Sequence, residues 1–106
     1  HGPSAESSST IRGRVQRAIA WRQRRGQQLP NAQLSAKELK VHCQLSADAA
    51  KLLRTAMQEL ELSARSYTKI LKIARTIADL ASQDAIQPDH VAEAIQYRSL
   101  DRQLWA

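Results

Sequence analysis

Residues 62–82 read LSARSYTKILKIARTIADLAS, and the spacing of their apolar side chains decides the class of fold. At about 100° per residue, counted from Arg65, Tyr67, Ile70, Leu71, Ala74, Ile77, Ala78 and Ala81 share one broad apolar face. Arg65, Lys69, Lys72 and Thr76 form a narrow stripe on the opposite side. The pattern predicts an amphipathic helix from about Ala64 to Ser82, with Ser63 as its N-cap. Ile73 and Leu80 fall outside the main face, which predicts that a second surface of this helix is covered, by a first helix or by a neighbouring domain.

Within that helix Arg65 stands close to the second helical position. A helix N-terminus carries about half a positive charge, so an acid is favoured there and an arginine costs a few tenths of a kcal/mol. The same place suits an anion, because free amides, the helix dipole and a guanidinium converge on it. Two readings stand on these residues alone: an anion sensor, or a surface arginine paired with Glu61 or Ser63.

Outward from this segment the chain stays helical, with no strand alternation. Thr10 is expected to cap a first helix running to about Arg25, with Ile11, Val15, Ala18 and Ile19 on one side and Gly26 as its stop. Residues 27–34, containing Pro30-Asn31, read as a connector. Ser35-Ala36-Lys37-Glu38 is a capping box opening a short second helix. Ser46 caps a third to about Leu60, expected to bury Ala49, Leu52, Leu53, Ala56 and Leu60 with Met57 at the margin. Pro88 opens a fifth helix, Asp89 complements its dipole, and it runs to about Arg98, burying Val91, Ala94 and Ile95. The expected fold is all-α, a small bundle of about five helices over residues 10–98, preceded by a disordered linker or cloning remnant at 1–9 and followed by a C-terminal tail at 99–106.

A chain of 106 residues with three Gly, three Pro and 42% hydrophobic residues has room for one modest core. It opens on His1 rather than Met, so a fragment, or a processed or tagged chain, is expected. No apolar run approaches the roughly 18–20 residues of a membrane span, no signal peptide is visible, and the single cysteine, Cys43, forms no internal disulfide. A cytoplasmic setting is the default expectation.

The net charge is +6, but it is local. Arg12, Arg14, Arg17, Arg22, Arg24 and Arg25 occur with no acid among them, whereas from Gly26 onward ten basic residues face nine acids. Three fates fit such a segment: a solvated helix face, contact with a nucleic-acid backbone, or contact with an acidic neighbouring domain or subunit. No groove-reading motif or aromatic platform accompanies it. Nor is there a phosphate-binding glycine loop, an H-E-x-x-H or a Cys-x-x-Cys, so neither a catalytic residue nor a metal site is assigned. His42-Cys43 reads as a partly buried structural cysteine beside an incidental histidine, and His90 as equally bland.

Three strings carry a resemblance: Leu62 to Tyr67, Ile70 to Leu80 (ILKIARTIADL) and His90 to Arg98 (HVAEAIQYR), joined by Asn31-Ala32-Gln33-Leu34 and the arginine-rich helix. Together they resemble the C-terminal domain of the ComM/YifB group, magnesium-chelatase-related AAA+ ATPases of bacteria, over about residues 8–102. The resemblance implies a helical lid packing over a nucleotide held by an α/β core. Arg65 matches the lid's sensor-2 arginine, which contacts the ATP γ-phosphate, so that its loss on hydrolysis frees the lid to rotate. Lys69 and Lys72, farther along the stripe, then face the nucleotide or an adjoining subunit. ATP is the implied cofactor, its Mg²⁺ held by a core domain that this chain lacks; nothing is expected to bind to this domain alone. The implied partners are that core, neighbouring subunits of a hexamer, and DNA, on which such proteins act in branch migration. Two rivals remain: an autonomous DNA-binding domain using Arg12 to Arg25, and a subunit-docking module.

Overall fold

The computed structural model describes residues 8–105, without the side chains of Ser8 and of residues 98–105. The expected linker at 1–9 lies outside the described residues apart from its last two positions, which are helical. Five α-helices follow one another: α1 Ser8–Arg24, α2 Ala36–His42, α3 Ala47–Glu59, α4 Ala64–Leu80 and α5 Pro88–Trp105, with a single 3₁₀ turn at Asn31–Gln33 between α1 and α2. The fold is an all-α bundle in which α4 is central, packing against α1, α2, α5 and the 3₁₀ turn, while α3 packs on α5.

Local chemistry starts three of these helices where the sequence places them. Ser35 and Glu38 form the reciprocal capping box of α2, and the hydroxyls of Ser46 and Ser63 accept from the amides of Ala49 and Ser66 at the starts of α3 and α4. Two boundaries differ from expectation. α1 begins at Ser8, so Thr10 lies inside the helix and does not cap it. α5 continues to Trp105 instead of ending near Arg98, so residues 99–105 extend the last helix.

Three helices stop in the same way. At the ends of α1, α3 and α4 the residue in the left-handed region is Gly26 (φ 77°), Glu61 (φ 51°) and Ser82 (φ 56°). In each case its amide and the next one return to the last turn: Gly26 N to Gln23 O and Gln27 N to Arg22 O, Glu61 N to Gln58 O and Leu62 N to Met57 O, Ser82 N to Asp79 O and Gln83 N to Ala78 O. These are Schellman motifs, which satisfy carbonyls the helix end would otherwise leave bare. Only the first has the glycine that makes the left-handed conformation inexpensive. Glu61→Gly and Ser82→Gly are therefore expected to stabilise the domain by up to about 1 kcal/mol each, read as a higher urea midpoint at unchanged slope. A loss of stability in both would show that the side chains contribute more than the strain they carry.

The core is built from Leu34, Leu39, Cys43, Ala49, Leu53, Ile70, Leu71, Ala74, Ala78, Ile86, Val91 and Ala94. Below it, the α2–α3 and α4–α5 connectors are tied by a one-residue parallel bridge, Leu45 to Ile86, made by Ser46 N to Ile86 O and Ile86 N to Gln44 O, each 2.9 Å. Several residues expected inside are not. Leu60 is 52% exposed because it is the C-cap of α3 and has left the helical path, while Leu62, beyond the helix end, packs against the core. On α4 the ends of the apolar face, Tyr67 and Ala81, are exposed. The expected apolar side of α1 is likewise uncovered, with Ile11, Val15 and Ile19 all exposed.

Candidate functional site at the start of α4 and the basic faces

The first turn of α4 contains no acid. Ser63 Oγ accepts from Ser66 N at 3.2 Å and its carbonyl accepts from Tyr67 N at 3.0 Å, which leaves the amides of Ala64 and Arg65 directed out of the helix end. Arg65 is exposed, and no hydrogen bond or ion pair joins it to another described residue. Neither Glu61 nor Ser63 holds it. Glu61 sits in the left-handed turn after α3, and the Ser63 hydroxyl is engaged with Ser66. The result is a helix N-terminus, a guanidinium and free amides facing solvent together, a combination able to receive a phosphate or carboxylate.

The stripe that begins with Arg65 does not face away from the domain along its whole length. Lys69 is exposed, but Lys72 is half-buried and its Nζ donates to Ala32 O at 3.0 Å. Thr76 accepts from Asn31 Nδ2 at 2.9 Å and donates to Lys72 O. The 3₁₀ turn therefore engages Lys72 and Thr76 in the C-terminal half of the stripe, although Thr76 itself stays exposed.

Beside that turn lies a polar centre that the helical spacing alone did not disclose. Asp79 and Arg75, one turn apart on α4, are both buried. Asp79 accepts four hydrogen bonds: Oδ1 from Arg25 Nη1 at 2.6 Å and Arg75 Nε at 3.1 Å, Oδ2 from Arg25 Nη2 at 2.9 Å and Asn31 Nδ2 at 3.1 Å. Arg75 also donates to His42 O, Gln83 O and Asp84 O, joining the end of α2 to the turn after α4. Burial pulls the Arg75 guanidinium below its ordinary pKa, and the adjacent Asp79 carboxylate opposes that shift. Gln27 completes the group, accepting from Arg25 and donating to Leu29 O and Asn31 Oδ1. An Arg–Asp pair at i,i+4 in a sequence reads as a surface pair; the signal for burial was the absence of any other charge between Ile73 and Leu80.

This centre changes the reading of the arginine-rich segment. Arg25 pairs with the buried Asp79 carboxylate while its side chain stays 18% exposed, so part of its charge is met from within the domain. Arg24 lies over the Trp21 ring at 4.7 Å. Arg22 is half-buried, its Nε without an acceptor among the described residues, and Arg14 is also half-buried. Arg12 and Arg17 are exposed. The six arginines therefore do not present one continuous basic surface.

Cys43 is buried in the core, and burial pushes its thiol up to about 11, so almost none of it is thiolate near neutrality. His90 Nδ1 accepts from Gln87 N at 2.9 Å, giving α5 the return half of a capping box. Among the described residues no three His, Cys, Asp or Glu side chains gather as a metal set, and no helix is long and apolar enough to cross a membrane.

Comparison with known proteins bears on the residues at the centre of this geometry. The chain is 41% identical over 104 residues to the uncharacterized protein YifB of Salmonella typhimurium, covering 98% of this chain and 20% of that protein. It is 40% identical to YifB of Escherichia coli over 99 residues (93% and 19%). To the competence protein ComM of Haemophilus influenzae it is 38% identical over 103 residues (97% and 20%). The chain thus spans about a fifth of the length of these relatives. Residues 5–98, which take in α1 with Arg25, all of α4 and the start of α5, match the family described as magnesium chelatase, subunit ChlI C-terminal, and to that family this chain belongs.

Proposed function

We propose that this domain is the helical lid of an AAA+ ATPase and that Arg65 is its nucleotide sensor. The observation that supports the reading is the state of Arg65: exposed, bonded to no other described residue, and set in a helix start with outward amides and no acid. In the assembled protein, bound ATP supplies the γ-phosphate charge, with Mg²⁺ held by the core domain. Arg65 donates to a γ-phosphate oxygen, and the amides of Ala64 and Arg65 add the positive end of the α4 dipole. When that charge leaves, Arg65 has nothing left to hold in the core, and the lid is free to rotate against it. Lys69 lies beside Arg65 and contributes to the same field. Lys72 serves the 3₁₀ turn first, and takes part only through a subunit that reaches it there. The domain is not catalytic alone in this scheme; its partners are its own core, adjoining subunits of a hexamer and, through the parent motor, DNA.

The test is steady-state ATPase and ATP affinity of the parent protein carrying Arg65→Ala, with Lys40→Ala as an exposed control. Loss of turnover by about tenfold or more in Arg65→Ala alone is expected for removal of a donor to developing charge. Unchanged turnover and affinity would refute the sensor role. The rival autonomous DNA-binding domain makes a separate demand: binding of duplex DNA by this domain alone at low salt, with a log-log salt slope of roughly one per phosphate contact.

A further inference from the structure

We infer that the uncovered flank bounded by α1, α4 and α5 is the seat of a partner helix that carries an apolar stripe with an acidic edge. Two hollows of about 450 and 380 Å³ meet there and share Ala32, Thr76 and Leu80. The first extends along Ile73 and Ile77 to Tyr97, and the second along Val15 and Ile19 of α1. Their large apolar side chains are not covered by the domain itself: Val15 is 45% exposed, Ile19 38%, Leu80 38% and Tyr97 63%. Adjoining hollows lined in this way fit successive anchors, at i, i+4 and i+7, of one amphipathic helix.

Charge selects which helix. The lining contains two cations, Arg22 and Lys72, against one exposed acid, Glu93; the second acid, Asp79, is fully engaged with Arg25, Arg75 and Asn31. Arg22 is the cation the domain leaves incompletely satisfied, since its Nε has no acceptor among the described residues. That Nε is enclosed, so a carboxylate on the edge of the incoming helix pairs with the rest of the half-buried Arg22 guanidinium and with Lys72, the two cations that line the hollows. A second copy of this chain, at net charge +6, brings like charge instead.

The experiment uses two synthetic amphipathic helices of about 18 residues with the same Leu/Ile stripe at i, i+4, i+7 spacing, one edged with Glu and the other with Lys. Binding is followed by peptide anisotropy and by amide shifts of the isotope-labelled domain. The Glu-edged helix should bind, shifting Val15, Ile19, Leu80 and Tyr97, and the Lys-edged helix should bind about tenfold or more weakly. Ile19→Glu and Leu80→Glu, both at exposed positions, should each weaken the Glu-edged helix about tenfold, and Arg22→Glu should reverse the preference between the two helices. Equal binding of both peptides, shifts confined to another surface, or no binding of the Glu-edged helix would overturn the proposal. So would self-association of the domain that Ile19→Glu abolishes, because it would give the flank to a second copy.

Discussion

Asp79→Ala is expected to cost about 3–5 kcal/mol, a large part of the roughly 5–15 kcal/mol that holds a domain of this kind together. The side chain is small, so little of the loss comes from packing. It comes from what remains: Arg75, buried and charged, loses its only carboxylate partner among the described residues, and Arg25 loses both hydrogen bonds of its bidentate pair. Asn31 Nδ2 keeps Thr76 but loses the carboxylate. Urea unfolding followed by circular dichroism gives the number directly. Asp79→Asn, which keeps acceptor capacity without the charge, should fall between Asp79→Ala and wild type. A loss below about 1 kcal/mol for Asp79→Ala would mean that the two arginines find other partners, and that the network is incidental to the fold.

The second large effect is expected from a substitution that keeps the charge. Arg75→Lys retains a cation beside Asp79, but the guanidinium reaches that carboxylate through Nε, two carbonyls through Nη1 and a third through Nη2. A single ammonium nitrogen cannot span those directions. At least one of the carbonyls of His42, Gln83 and Asp84, which lie in half-buried or exposed residues, then loses its charged donor, at about 1.5–3 kcal/mol for a hydrogen bond to a charged group. The midpoint of thermal unfolding should drop by roughly 10 °C or more, at about 4–8 °C per kcal/mol in a domain this small. Retention of the wild-type midpoint would show that charge alone, and not the fork, is what the site requires.

The sequence made some of this legible and concealed the rest for physical reasons. Ser35, Ser46 and Ser63 were readable as caps because capping is settled within one turn of chain, and the apolar faces of α3 and α4 were readable because helical spacing is local too. Gly26 was readable as a stop because glycine advertises the left-handed region; Glu61 and Ser82 adopt the same region with side chains that do not. The pairing of Arg25 was out of reach, since its partner Asp79 lies 54 residues away in sequence and nothing local distinguishes Arg25 from Arg24. Leu60 was misplaced because periodicity continues past a helix end that the backbone does not honour. Arg65 was the readable part of the candidate site: its position follows from Ser63, and the structure adds that no described residue claims it.

The bridge between Leu45 and Ile86 bears on how the domain opens. Connectors are ordinarily the first parts of a small helical domain to fluctuate, each on its own. Here the one after α2 and the one after α4 share two hydrogen bonds, and the Arg75 guanidinium holds a carbonyl at the end of α2 and two after α4. Neither can loosen without the other, so this end of the molecule has a single latch where its topology offers two. Opening of either connector therefore breaks hydrogen bonds that belong to both, and the two fluctuate as one unit.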